Sequence, residues 1–130
     1  MILVLGGNEN NMESILDSVK RSIPVDIEET HFDFDIIMHI NSVFSILHQM
    51  GVGPKTTFNI TDSKAIWNDF TEDDDYNEVK TYMCLKVKMI FDPPTNSNVM
   101  AAMERQISEL EWRLNVSASN KTMEETDDDE

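Results

Sequence analysis

The sequence predicts a mainly α protein: a small helical bundle of three long helices plus short helices, with extended or disordered termini. Two observations carry that expectation. Apolar residues recur at helical spacing over three long stretches, near residues 33–50, 76–91 and 97–114. The breakers Ile23-Pro24, Gly51 to Pro54 and Asp92-Pro93-Pro94 fall between elements and mark where helices should stop.

A first, short helix is expected from about Met12 to Ser22. Asn10 or Asn11 would cap it, and Met12, Ile15, Leu16 and Val19 would share one face. Pro24 ends it, because the residue before a proline is pushed out of helical geometry. Residues 25–32 read as an acidic linker. The second helix has Asp33 or Asp35 at its cap and a stripe of Ile36, Ile37, Ile40, Val43, Phe44 and Leu47. Gly51 suits the left-handed position just past its end, and Gly53-Pro54 prevents resumption. At 1.5 Å per residue this helix spans roughly 27 Å.

Residues 57–60 read as a short strand or merely extended chain. Asp62 or Ser63 would then cap a brief helix that turns Ile66, Trp67 and Phe70 inward. A helix from about Tyr76 to Phe91 is apolar on nearly every side, the pattern of a rod enclosed by neighbours. The last helix starts near Thr95 to Ser97, with either as its cap. Val99, Met103, Ile107, Leu110 and Leu114 form its buried seam. Past Asn115 the pattern dissolves, and six of the last seven residues are acidic, so a disordered tail is expected. This gives three segments: residues 1–32 with a short helix, a helical core over 33–116, and an acidic tail over 117–130.

At 130 residues and 14.9 kDa the chain suits one domain with one core. Ten basic residues stand against 25 acidic ones, a formal net charge of −15 and a pI near 4.3. That balance argues against binding nucleic acid through its phosphates, which needs clustered Lys and Arg, and against an anionic membrane face. Met1 to Leu5 is too short an apolar run for a secretory signal, and no stretch reaches transmembrane length. The lone cysteine, Cys84, permits no intrachain disulfide.

A search for chemistry finds little. Glu72-Asp73-Asp74-Asp75 lacks the alternating ligands and central glycine of a calcium loop, and reads as a solvated turn. His39 and His48 lie nine residues apart, so they point in roughly opposite directions from one helix and cannot clamp a metal together. Cys84 sits in an apolar helix, where an inert thiol is far commoner than a nucleophile. Neither Gly6-Gly7 nor Gly51-Val52-Gly53 continues into a phosphate-binding loop. No enzyme activity, no cofactor and no metal are expected.

The stretch Asp33-Phe34-Asp35-Ile36-Ile37-Met38-His39-Ile40-Asn41, followed by Met50-Gly51-Val52-Gly53-Pro54 and Trp67-Asn68-Asp69-Phe70, resembles the front half of head–tail connector proteins from siphophages of Gram-positive bacteria. The match continues through Val79-Lys80-Thr81-Tyr82 to Phe91-Asp92-Pro93-Pro94 and then Glu109-Leu110-Glu111-Trp112-Arg113-Leu114. It covers roughly residues 33–116, in order and at similar spacing.

The resemblance implies a structural subunit of a homo-oligomeric ring, a dodecamer matching the portal protein above it. Such a ring extends the DNA channel and docks a downstream neck or tail-completion protein. It implies a place in the neck of the virion, after a stay in the host cytoplasm, with no membrane partner. Residues 115–130 are the candidate arm towards the portal, the alternative being a tail that hangs free and solvated. Candidate contact residues are Trp67, Phe70, Trp112, Arg113, Leu114 and Val116. The charge adds an expectation of its own: carboxylates lining a channel repel phosphates, so DNA slides without specific binding. Glu28 and Glu29, or Glu72, Asp73, Asp74 and Asp75, are the candidates to face that lumen. Two rival readings share the composition: an acidic DNA-mimic inhibitor, and a different phage neck or tail-completion subunit.

Overall fold

The computed structural model describes residues 12–71 and 76–128, with side chains through Met123. Among these residues there are five helices: α1 (Ile15–Ser22), α2 (Asp33–Gln49), α3 (Trp67–Phe70), α4 (Tyr76–Phe91) and α5 (Ser97–Asp128). The expected bundle of three long helices is present as α2, α4 and α5. Residues 57–60 form no strand. An isolated bridge joins Ser14 to Ile66.

α4 is the central rod, packed against α1, α2 and α5. Val79, Tyr82, Met83 and Val87 are buried on one broad face of it, while Leu85, Met89 and Phe91 are half-buried and Ile90 is exposed, so the enclosure is less complete than the sequence pattern suggests. The Phe32 and Phe91 rings meet edge to face at 5.6 Å, so α2 starts beside the end of α4 and the two run antiparallel. α5 turns back along α4 after Pro93-Pro94. It therefore runs in the same direction as α2, and a Cβ at Gly51 would sit 3.7 Å from that of Ala118.

Beneath α2 an aromatic cluster closes the core. Phe44 lies 4.9 Å from Phe58 and 4.8 Å from Phe70 between ring centroids, and Trp67 packs edge-on to Tyr76. Residues 57–60 stay extended because Asn41 stands in for a strand partner. Its side-chain amide accepts from the Ile60 N–H at 2.8 Å and donates to the Ile60 carbonyl at 3.0 Å. Gly51 and Gly53 both hold positive φ, as the turn after α2 demands.

The helix starts differ from expectation. Asn10 and Asn11 lie outside the described residues. Ser14 caps α1 instead, its Oγ accepting from the Asp17 N–H at 3.3 Å, and exposed Met12 stays off the buried face. Neither Asp33 nor Asp35 caps α2: Phe32 takes the cap position, and Asp33 is drawn to Lys20. The short helix begins after Ile66, whose N–H the Asp69 carboxylate accepts at 3.0 Å, while Asp62 closes a local turn on the Lys64 N–H. Asn96, between the two expected caps, accepts from the N–H groups of Asn98 and Val99.

The largest difference is at the end. The chain stays helical to Asp128, well past Asn115. No Gly or Pro follows Pro94, so nothing interrupts the backbone ladder. Ala118 prolongs the buried seam by one more step of four. The boundary drawn at 116/117 thus falls inside α5. That drawn at 32/33 separates α1 from a core it helps to build.

Candidate contact surfaces

The site residues depend first on how residues 13–33 are held. Trp67, fully buried, donates its indole N–H to Ser18 Oγ at 3.0 Å, and Ser18 donates in turn to the Ser14 carbonyl at 2.7 Å. Ser14 Oγ reaches across to the Ser63 carbonyl at 2.7 Å. Glu13 sits between two cations, 2.7 Å from both Arg21 and Lys80. Burial pushes the Glu13 carboxyl up, but the Lys80 hydrogen bond and the charges of Lys80 and Arg21 outweigh it and hold it below the usual glutamate range.

Lys20 is the residue the sequence least advertises. It is 1% exposed, and its ammonium spends all three protons: on the Ile27 carbonyl at 2.8 Å, the Glu29 carbonyl at 2.6 Å and Asp33 Oδ1 at 2.8 Å. A buried ammonium is tolerated only when it is paired and fully hydrogen-bonded. Here the arrangement turns the acidic linker into a fixed loop and presents Glu28 and Glu29 outward, both exposed. The signal was available, since Lys20 stands four residues from Leu16 and one from Val19, on the face that packs.

Tyr82 joins the central rod to the last helix. Its hydroxyl donates to Glu111 Oε2 at 2.7 Å, and burial first, with this carboxylate second, raises its pKa far above that of a free tyrosine. Cys84 is mostly enclosed and its thiol is pushed up by burial, which leaves little thiolate near neutral pH. Among the described residues no group of three or more His, Cys, Asp or Glu converges as metal ligands. No described helix is long and apolar enough to cross a membrane. A cleft of about 390 Å³ lies between the Gly51–Pro54 turn and α5, lined by His48, Lys55 and Lys121 among others.

The candidate contact residues divide by burial. Trp67, Phe70 and Leu114 are packed inside this chain and have no surface to offer a neighbour; the aromatic core and the α4–α5 seam claim them. Trp112, Arg113 and Val116 are exposed, with Trp112 at 67%, and Arg113 pairs with Glu109 one turn back at 2.7 Å. Glu72 to Asp75 lie outside the described residues. Sequence reasoning passed over Phe34 and Met38, which are 74% and 54% exposed on the side of α2 away from its seam, and Met123 on α5. Their signal was an i, i+4 apolar pair lying off the main stripe.

An all-helical scaffold of this kind, with large apolar side chains exposed on both outer helices, occurs in many families. Comparison with known families identifies which: a phage connector protein model matches residues 15–121, and the chain belongs to that family. Comparison with curated proteins and with solved structures finds no match. The family is one of structural head–tail connectors of bacteriophages, and the matched span takes in α1 to α4 and most of α5.

Proposed function

We propose that this chain is the subunit of a ring that sits beneath the portal protein, in a siphophage of a Gram-positive host. Twelve copies continue the portal's channel and offer a platform to the next neck or tail-completion protein. The observation that carries this reading is the connector family match across residues 15–121, which spans almost the entire described bundle. Exposed Trp112, Arg113 and Val116 serve as contact residues, and the end of α5 serves as the arm towards the portal. Either Glu28 and Glu29, on the loop that Lys20 pins, or the acidic run 72–75, which lies outside the described residues, faces the channel and keeps phosphate backbones from adhering. Screening at physiological salt confines that repulsion to about 8 Å, so only groups at the lumen wall contribute.

Imaging the purified protein mixed with its portal tests the reading. A collar of this subunit on the narrow end of the portal is the expected product. A monomer that ignores the portal refutes it. Reversing the charge of Glu28 and Glu29, and separately of residues 72–75, should impair DNA retention or ejection in at least one of the two variants. Unchanged behaviour in both variants would remove the lumen assignment.

A further inference from the structure

α2 and α5 both turn an apolar seam towards α4, and each keeps a second set of apolar side chains on its opposite side. At about 100° per residue, Arg105, Trp112, Val116 and Met123 fall within about 40° of one direction on α5. Met103, Ile107, Leu110 and Leu114, all buried, centre directly opposite. On α2, Phe34 and Met38 stand opposite Ile36, Ile40, Val43 and Leu47 in the same way. The two outer faces belong to helices that scarcely touch, so they lie on different sides of the molecule.

Their charges are complementary. Between Arg21 and Lys55 the sequence contains no Lys or Arg, and exposed Asp35 adjoins Phe34 and Met38. The outer stripe of α5 holds one charge, Arg105, for which no ion pair is formed among the described residues. Glu109, at the stripe's edge, is occupied by Arg113. In a chain of net charge −15, an outer stripe whose one charge is positive is a selective partner for an acidic, apolar surface.

The two faces match in height at one point. α2 and α5 run the same way and meet at Gly51 and Ala118. Counting back thirteen residues along each puts Met38 and Arg105 at one level. We propose that the Arg105 end of this stripe in one copy packs on the Phe34–Asp35–Met38 surface of the next, with Arg105 reaching Asp35, while Trp112 and Val116, about 10 and 16 Å further along α5, lie beside the C-terminal half of the neighbour's α2. Because different patches meet, the contact is heterologous and propagates around a ring instead of stopping at a dimer. This rests on the ring reading above and supplies the surfaces that make it.

The test is a charge exchange on two exposed positions: Arg105→Glu, Asp35→Lys, and both together in one chain. Assembly is followed by native mass spectrometry and sedimentation, with and without portal, and circular dichroism checks helicity. Each single change should raise the concentration for half-assembly about tenfold or more, and the double variant should return to within about threefold of wild type. If wild-type rings form and the single variants match them, this contact is wrong while the ring stands. Weakened singles without rescue also overturn the pairing. So does a loss confined to portal binding, which would assign the stripe to the portal. A wild-type chain that never forms rings, even on the portal, overturns both proposals.

Discussion

Replacing Lys20 by Met removes a buried charge while nearly preserving its volume, and the structure bounds the cost. Three hydrogen bonds disappear, two to carbonyls and one to a carboxylate. Removing one partner of a fully buried ion pair costs about 3–5 kcal/mol, because the other charge is stranded. Asp33 is 26% exposed, and Ile27 and Glu29 belong to a surface loop, so water can replace part of what they lose. The expected loss is therefore about 2–4 kcal/mol, set against about 5–15 kcal/mol for a domain of this kind. At about 3–5 °C per kcal/mol, the melting temperature should fall by roughly 10 °C. Thermal unfolding by circular dichroism reads that shift. A second measurement isolates the mechanism: a Glu-specific protease should cut after Glu28 and Glu29 faster in Lys20→Met, because the loop is no longer pinned. Unchanged melting with unchanged nicking would show that Lys20 is not what holds this loop.

Other outcomes follow from single contacts. Gly53→Ala should cost about 1–2 kcal/mol for its positive φ and about 1–3 more because the new Cβ would lie 2.4 Å from the Phe70 ring, whereas Gly51→Ala, with Ala118 at 3.7 Å, should cost the first part alone. Equal denaturation midpoints for the two would refute the steric assignment. Tyr82→Phe should lose about 1 kcal/mol and speed amide exchange chiefly in α5, while Tyr82→Ala should lose about 3–5 through the cavity it opens. The Glu13 carboxyl is held low when folded, so its stabilising effect is complete above the ordinary glutamate value of about 4.3 and fades as pH falls through its depressed value. Denaturant titrations from pH 7 to pH 3 should show Glu13→Gln less stable than wild type at neutral pH and the gap closing in acid.

The elements that read clearly in the sequence are those set by local pattern. The seam of α2, the apolar run of α4 and the stop at Pro93-Pro94 all depend on residues a few positions apart. What could not be read depends on partners distant in the chain. Ser14 serves as a cap partly because its hydroxyl also meets the Ser63 carbonyl, forty-nine residues on. Phe32 takes the cap position of α2, and Asp33, the first residue inside the helix, turns its carboxylate to Lys20. Trp67 and Phe70 could be read both as residues turned inward and as contact residues, and the local sequence does not choose between them. The aromatic cluster that encloses them is assembled from α2, residues 57–60 and α4, and no local window contains it. α5 runs further than its fading amphipathicity suggests, because its seam continues to Ala118 and no Gly or Pro after Pro94 breaks the backbone ladder.

The uneven burial of the three long helices bears on how such a subunit joins its neighbours. The interior sides of α1, α2 and α4 are sealed, with Ile15, Ile36, Ile40, Val79 and Tyr82 showing no exposure at all. α5 is fastened along one side, by a seam in which only Leu114 is fully enclosed, and by the Tyr82–Glu111 hydrogen bond. A helix held this way opens at lower cost than the rest of the fold. Its outer face carries Trp112 and Met123 into water, which a lone chain gains nothing by doing. A neighbour seated on that face would bury α5 from both sides and raise its stability towards that of the core. Assembly would then stiffen α5, so amide protection gained on ring formation should concentrate in residues 101–123 and change less in α4, whose broad buried face is already packed.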